Sequence, residues 1–361
     1  MSQTWTLAPS LSKREYTDNE KIVLGYFFTN TDKNIYCATS NMSSQLWAFL
    51  TGQYSRSATS MRDRLLQLFA DMEKAMLAGK LNPKEYVSID DFADNIKRSE
   101  ANPALALFDK KASDFLEKWW VKYGHNSLKD NDVVRVIVEW VSQVFTKVIE
   151  APFPALGAFQ EKSTRYMNFS ADSLIIPPEL EWTEDEEKLK DLQKRLLEYY
   201  TASLAETTSL LEKEWLLPED EEIDDAAYGR ALQAKAFDML RYALPTSITT
   251  ALGATLSTRT LESHLSSMLA HPLAEVRLIA TTIHQEALKV TPGLLKFVTP
   301  NEYEHSRRIN IEGMARNFLG SEKLPMYHGI KDEERVTLVK VDPEIDDTVL
   351  ASCLYQHARE A

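Results

Sequence analysis

Val133-Val134-Arg135-Val136-Ile137-Val138 opens a segment that continues through Val141, Val144, Phe145 and Val148 and is apolar on more than one face. Such a segment is either a buried helix or a strand followed by a helix. Its β-branched residues favour a strand at 133–138, because branching at Cβ suits a pleated surface and crowds a helical turn. Pro152 and Pro154 stop whatever precedes them. Further on, Leu189, Leu192, Leu196, Leu197 and Tyr200 recur at helical spacing and predict a helix over 185–212. The acidic run at 211–225 reads as a solvated loop leading into a helix, with Asp224 or Asp225 near its N-terminus. Residues 227–292 read as helical, punctuated by Pro245 and Gly253, with Leu256, Leu261, Leu265, Met268 and Leu269 as a core stripe. Towards the N-terminus, the short, aromatic-rich Lys21 to Phe28 reads as a strand. Helices are predicted over 42–50, 60–77 and 102–123, with a turn at 51–57.

A chain of 361 residues buries a large core. Its 44% apolar and 26% charged content is ordinary for a soluble globular protein. With 41 Lys plus Arg against 54 Asp plus Glu, the net charge of -13 disfavours nucleic acid and anionic membrane as partners of the whole surface. A small basic pocket for a nucleotide phosphate remains compatible, because net charge is a sum and a pocket is local. Cys37 and Cys353 are too few for a disulfide scaffold and lack metal-ligand spacing, so no metal site is expected. No run of 18 apolar residues and no basic segment leading into a long apolar one is found, so the expected location is cytoplasmic. The glycines stand too far apart for a phosphate-cradling cluster, which argues against a doubly wound nicotinamide enzyme or a P-loop ATPase.

The chemistry-bearing stretch is Glu161-Lys162-Ser163-Thr164-Arg165-Tyr166. On a helix, Glu161 and Arg165 stand one turn apart and pair across a face. On an extended or turning backbone, Ser163 and Arg165 share a side and offer a hydroxyl and a guanidinium fork to a phosphate. An ordinary surface ion pair with Tyr166 at its edge is the plainer alternative. His125 and Ser127 lie in Gly124-His125-Asn126-Ser127, after the helix expected to end near Tyr123, where a histidine also serves as a routine cap. Arg241 precedes Leu244-Pro245, and Arg259 lies in Ser257-Thr258-Arg259-Thr260-Leu261. Both sit on segments expected to pack a core, so each needs an anionic ligand or a carboxylate partner such as Glu262 or Glu275.

In their order and rough spacing these four elements resemble the flavin-dependent thymidylate synthases, the thymidylate synthase complementing proteins, over about 120–292. The resemblance implies an α/β (α+β) fold, with a mixed or antiparallel sheet flanked by long helices. It also implies a homo-oligomer, dimer or tetramer, with sites shared between chains. The family methylates dUMP to dTMP with methylenetetrahydrofolate, while FAD carries the hydride from NADPH. On that likeness Glu161, Ser163, Arg165, Tyr166 and Arg241 are substrate-binding residues for a nucleoside monophosphate. His125, Ser127 and Arg259 are cofactor-binding, and Arg241 and Arg259 are catalytic.

The chain departs from the family at several places. The family's Arg-His-Arg triplet is replaced within the Ala-, Pro- and Phe-rich tract 151–160, and its Glu-His pair by Asp130-Asn131. The pyrimidine-activating arginine is Met268, and Ala-Gln-x-Glu becomes Ala274-Glu275-Val276-Arg277. A thioether neither donates a hydrogen bond nor holds charge. Two readings follow: an enzyme of the family whose missing groups come from elsewhere, or a degenerate relative that binds a nucleotide or serves as an interaction partner. The apolar surplus of 132–160 and 256–292 adds to the expectation of assembly. The expected organisation is an N-terminal α/β portion at 1–119, the motif-bearing portion at 120–300 and an extension at 301–361. Strand character at 335–339 and a helix over 344–359 would make that extension the start of a second repeat.

Overall fold

The computed structural model describes residues 15–98, 111, 126–151, 157–167, 169, 173–214, 224–319 and 349. The chain forms two compact units, Met1–His305 and Ser306–Ala361. In the second, the described residues are 306–319, within helix α10 (Glu302–Leu319), and Val349. The helix over 102–123 and the elements expected at 335–339 and 344–359 fall outside the described residues, residues 111 and 349 apart.

The first unit is built on an antiparallel sheet of four strands, β1 (Ile35–Cys37), β2 (Val133–Ser142), β3 (Gly157–Glu161) and β4 (Thr249–Ser257), in the order β1-β2-β4-β3. The valine-rich segment is therefore a strand followed by helix α5 (Gln143–Glu150). Because side chains alternate along a strand, Val134, Val136 and Val138 face one core with Ile35, Cys37, Leu252, Ala254 and Leu256. Helices α8 (Thr258–Leu269) and α9 (Ala274–Ala287) close that core with Leu261, Leu265, Val276, Ile279 and Ile283. Ile137, Tyr36 and Ala251 face the opposite core, covered by α1 (Asp18–Phe27), α2 (Ser44–Tyr54), α3 (Met61–Leu77) and α4 (Ile89–Arg98). A bulge at Trp140, with φ 57°, shifts the register and returns Val141 to the first core. A third cluster joins α6 (Asp185–Glu214) and α7 (Asp225–Leu240) through Leu197, Tyr200 and Phe237 to Ile248.

Three sequence expectations are corrected. The turn expected at 51–57 is helical as far as Tyr54, where α2 ends. Lys21 to Phe28 is not a strand but most of α1. Thr17 and Glu20 form a capping box at its start, and Val23, Leu24 and Phe27 present one buried helical stripe. The stretch 227–292 is not helical throughout, since β4 lies inside it. Gly253 sits at mid-strand because Trp47 and Thr51 pack over it: a Cβ there would lie 3.3 Å from Thr51 Cγ2 and 3.6 Å from Trp47. Most apolar residues of 132–150 and 256–292 line the chain's own cores, Val133 being an exposed exception. Their surplus therefore does not argue for an interface.

Candidate functional site

Strand β3 carries the chain to Glu161, and a turn follows. Lys162 N donates to Ala251 O at 2.9 Å, Ser163 N to Ser55 O at 3.0 Å and Tyr166 N to Ser163 O at 3.2 Å. Arg165 N reaches Ser163 Oγ at 3.3 Å. The turning backbone thus brings Ser163 and Arg165 together, and the helical pairing of Glu161 with Arg165 does not occur. Glu161 faces inward instead, accepting from Thr146 Oγ1 and Thr250 Oγ1, each at 3.0 Å. Burial raises its pKa, and the two hydroxyls only partly offset this.

Arg165 Nε donates to Asp238 Oδ1 at 2.9 Å, and Arg241 Nη2 lies 3.1 Å from the same oxygen. Asp238 is in the last turns of α7, and Arg241 opens the short 3-10 turn Arg241–Ala243 that follows. Two segments far apart in sequence therefore place two partly exposed guanidiniums on one carboxylate oxygen, while the Ser163 hydroxyl accepts from the Arg165 backbone N–H. Each guanidinium keeps further N–H groups for an anion. Tyr166 and Tyr242 are exposed at the edges. The Arg241 Cζ lies 5.3 Å from the Tyr242 ring centre, and Arg56 Cζ lies 5.9 Å from that of Tyr166.

Beneath this surface is a charged layer that the sequence reading did not identify. Lys162 is buried, donates to Thr59 O at 2.9 Å and lies 4.7 Å from the Tyr54 ring centre. Burial pulls its pKa down to about 8 against the opposing pull of Glu139 and Asp63. Glu139, on the bulged part of β2, accepts from Met61 N at 2.9 Å. Its pKa is raised by burial, with Met61 N–H, Lys162 and Arg62 working against the rise. Arg62 is buried over the Tyr36 ring, with Cζ 4.0 Å from its centre, and donates to the Lys33 carbonyl. One sequence signal could have located this layer: a glutamate inside a valine-rich strand has to find partners when buried.

Arg259 stands elsewhere. It is in the first turn of α8 and pairs with Asp130 at 2.9 Å. The nine residues of β4 separate it from the Arg241 end, roughly 25 Å of strand. Arg259 lines a cleft of about 330 Å³ with Glu262, Ser263, Ser266, Phe297 and Asn301. Glu262 is bound by buried Lys129 at 2.6 Å, so it is not the partner of Arg259. Ser127 is exposed on the adjoining 3-10 turn Asn126–Asp130, and His125 lies outside the described residues. This face does not fit an FAD diphosphate, because the charges of Arg259 and Lys129 are offset one for one by Asp130 and Glu262, whereas Arg165 and Arg241 share a single carboxylate.

Met268 is buried in the core and takes no place at a ligand surface. Glu275 accepts from Ser142 N at 2.8 Å and Ser142 Oγ at 2.6 Å, holding the start of α5. Arg277 donates to the His271 carbonyl at 2.7 Å. Among the described residues no group of three or more His, Cys, Asp or Glu could hold a metal ion. No described helix is long and apolar enough to cross a membrane.

The sequence profile of the thymidylate synthase complementing protein family matches residues 65–293, more than half of the chain. A UPF0159 protein of Chlamydia muridarum is 26% identical over 362 residues, covering 96% of this chain and 63% of its own length. The UPF0159 protein Ta1429 of Thermoplasma acidophilum is 23% identical over 210 residues, covering 52% of this chain and 42% of its own length. The chain thus spans less than two thirds of either relative. Among solved structures, the UMP/dUMP methylase PolB of Streptomyces cacaoi bound with 5-Br UMP is 16% identical at a TM-score of 0.35. That match covers 52% of this chain and 81% of PolB. On the profile match, the chain belongs to the thymidylate synthase complementing protein family.

Proposed function

We propose that this chain binds a nucleoside monophosphate by its phosphate, with Ser163, Arg165 and Arg241 as the contacting residues and Tyr166 and Tyr242 at the edge. The observation that carries this reading is the convergence of Arg165 and Arg241 on one Asp238 oxygen, with the Ser163 hydroxyl held to the backbone N–H of Arg165. A phosphate supplies oxygens that both forks can reach. The reading is of binding without thymidylate synthesis by these residues alone. What supports it is that Met268 is buried where the family has its pyrimidine-activating arginine, and that Glu275 is committed to Ser142. Without a positioned cation at the pyrimidine, a family-type reaction loses several kcal/mol of transition-state stabilisation, on the order of what one oxyanion donor provides.

Calorimetry with deoxyuridylate tests it. Arg165→Ala is expected to weaken binding roughly 10- to 100-fold, the range for hydrogen bonds to charged groups. An unchanged dissociation constant refutes the role. A second reading, catalysis of dUMP methylation with groups supplied from outside these residues, is favoured by the chain's covering only 63% of the Chlamydia relative. Tritium release from labelled deoxyuridylate by the isolated chain, supplied with FAD, NADPH and methylenetetrahydrofolate, would establish catalysis and overturn binding alone.

A further inference from the structure

We propose that Arg56, on the turn between α2 and α3, is a third anion-contacting residue of this site and makes it selective for a dianionic phosphomonoester. The inference rests on the nucleotide-binding reading above and assigns a residue outside the stretch 65–293 that matches the family profile.

The turn is fastened to the site from two directions. Ser163 N donates to Ser55 O at 3.0 Å, directly before Arg56. Lys162 Nζ donates to Thr59 O at 2.9 Å on the other side. Between these anchors the turn is held by its own contacts, Ser57 Oγ to Thr59 Oγ1 at 2.8 Å and Thr59 N to Ser57 Oγ at 3.2 Å. Arg56 is exposed and lies over Tyr166, the neighbour of Arg165. Arg165 and Arg241 are both engaged by Asp238, whereas Arg56 makes no ion pair among the described residues.

Charge then decides the ligand. Arg165 and Arg241 less Asp238 leave one positive charge, and Arg56 brings the total to two. The buried layer behind adds little, because Lys162 and Arg62 face Glu139 and Asp63. Glu161 is turned away onto Thr146 and Thr250. A phosphomonoester carries about −1.5 to −2 at neutral pH, a phosphodiester about −1. Two net positive charges match the former, so a terminal phosphate is preferred to one inside a chain or an ester.

The test is calorimetry with deoxyuridine 5′-monophosphate and with its monoanionic methyl ester, about two pH units above the second phosphate pKa of about 6. The unaltered protein is expected to favour the monoester by roughly tenfold, a conservative figure for one unit charge at contact near a protein surface. Because the remaining positive charge still attracts a dianion more than a monoanion, Arg56→Gln should cut that preference to roughly threefold and weaken the monoester more than the methyl ester, and Arg56→Lys should restore part of both. Because Arg56 is exposed on a turn, an unchanged denaturation midpoint serves as the folding control. If Arg56→Gln retains the full preference, this inference is overturned and nucleotide binding stands. If the unaltered protein binds neither compound, the nucleotide reading fails and takes this inference with it.

Discussion

Lys162 lies in the middle of the motif, yet its side chain is buried under the candidate site and anchors Thr59 O. A buried lysine prefers to be neutral, which is why its pKa falls to about 8. The sign of the stability effect follows. The unfolded chain, with an ordinary lysine pKa, holds more protons between about pH 8 and 10.5, so this group's contribution to stability rises with pH across that window. Chemical denaturation of the unaltered protein and Lys162→Met across the window should show the difference in unfolding free energy moving in favour of lysine as pH rises. Tyr36 and Tyr54 also titrate on unfolding, but both proteins share them. A difference that stays flat with pH rejects the buried, depressed lysine.

Among the elements, β2 and α5 depend on one junction. Ser142 ends the strand and caps the helix, accepting from Phe145 N, while Glu275 of α9 receives both its N–H and its hydroxyl. Glu275→Ala removes two hydrogen bonds to a buried carboxylate and is expected to destabilise the protein by roughly 1–3 kcal/mol in urea denaturation. Nucleotide binding should be unaffected, because Glu275 is committed to this joint. A loss of binding at unchanged stability would place Glu275 at the ligand site. The junction was partly legible. The β-branched run before 139 and the proline stop after 150 bracket a strand and a helix, and both form. What periodicity could not supply was Glu275, which arrives from more than a hundred residues away.

For the whole molecule, the sheet is covered on both faces, and the helices with apolar stripes are the covers. Ile279 is buried in the chain's own core. Ile279→Ala is therefore expected to destabilise by roughly 2–5 kcal/mol, with the mass in light scattering unchanged. A fall in mass at unchanged stability would place α9 at a subunit interface instead. The matched charges at Arg259–Asp130 and Lys129–Glu262 lead to a further expectation. The purified chain should carry no flavin absorbance, and a yellow protein with near-stoichiometric FAD would refute this.

Local patterns along the chain are enough for the family, the strand at 133–138 and the helices at 60–77 and 185–212. In each case the signal is local: branching at Cβ, a helical repeat, or a short motif whose residues sit within a turn of one another. The rest, including the meeting of Arg165 with Arg241, came from contacts between distant segments. Lys21 to Phe28 became helical because a capping box and a one-sided stripe met the α4 face. The stretch at 249–257, rich in Ala, Leu and Gly, became a strand because it lies between β2 and β3, where both faces are buried and small residues admit Trp47. Asp238, Arg56 and Glu139 joined the site only when distant segments met. The charge that each contributes has no local pattern and acquires its role from the neighbours that folding brings to it.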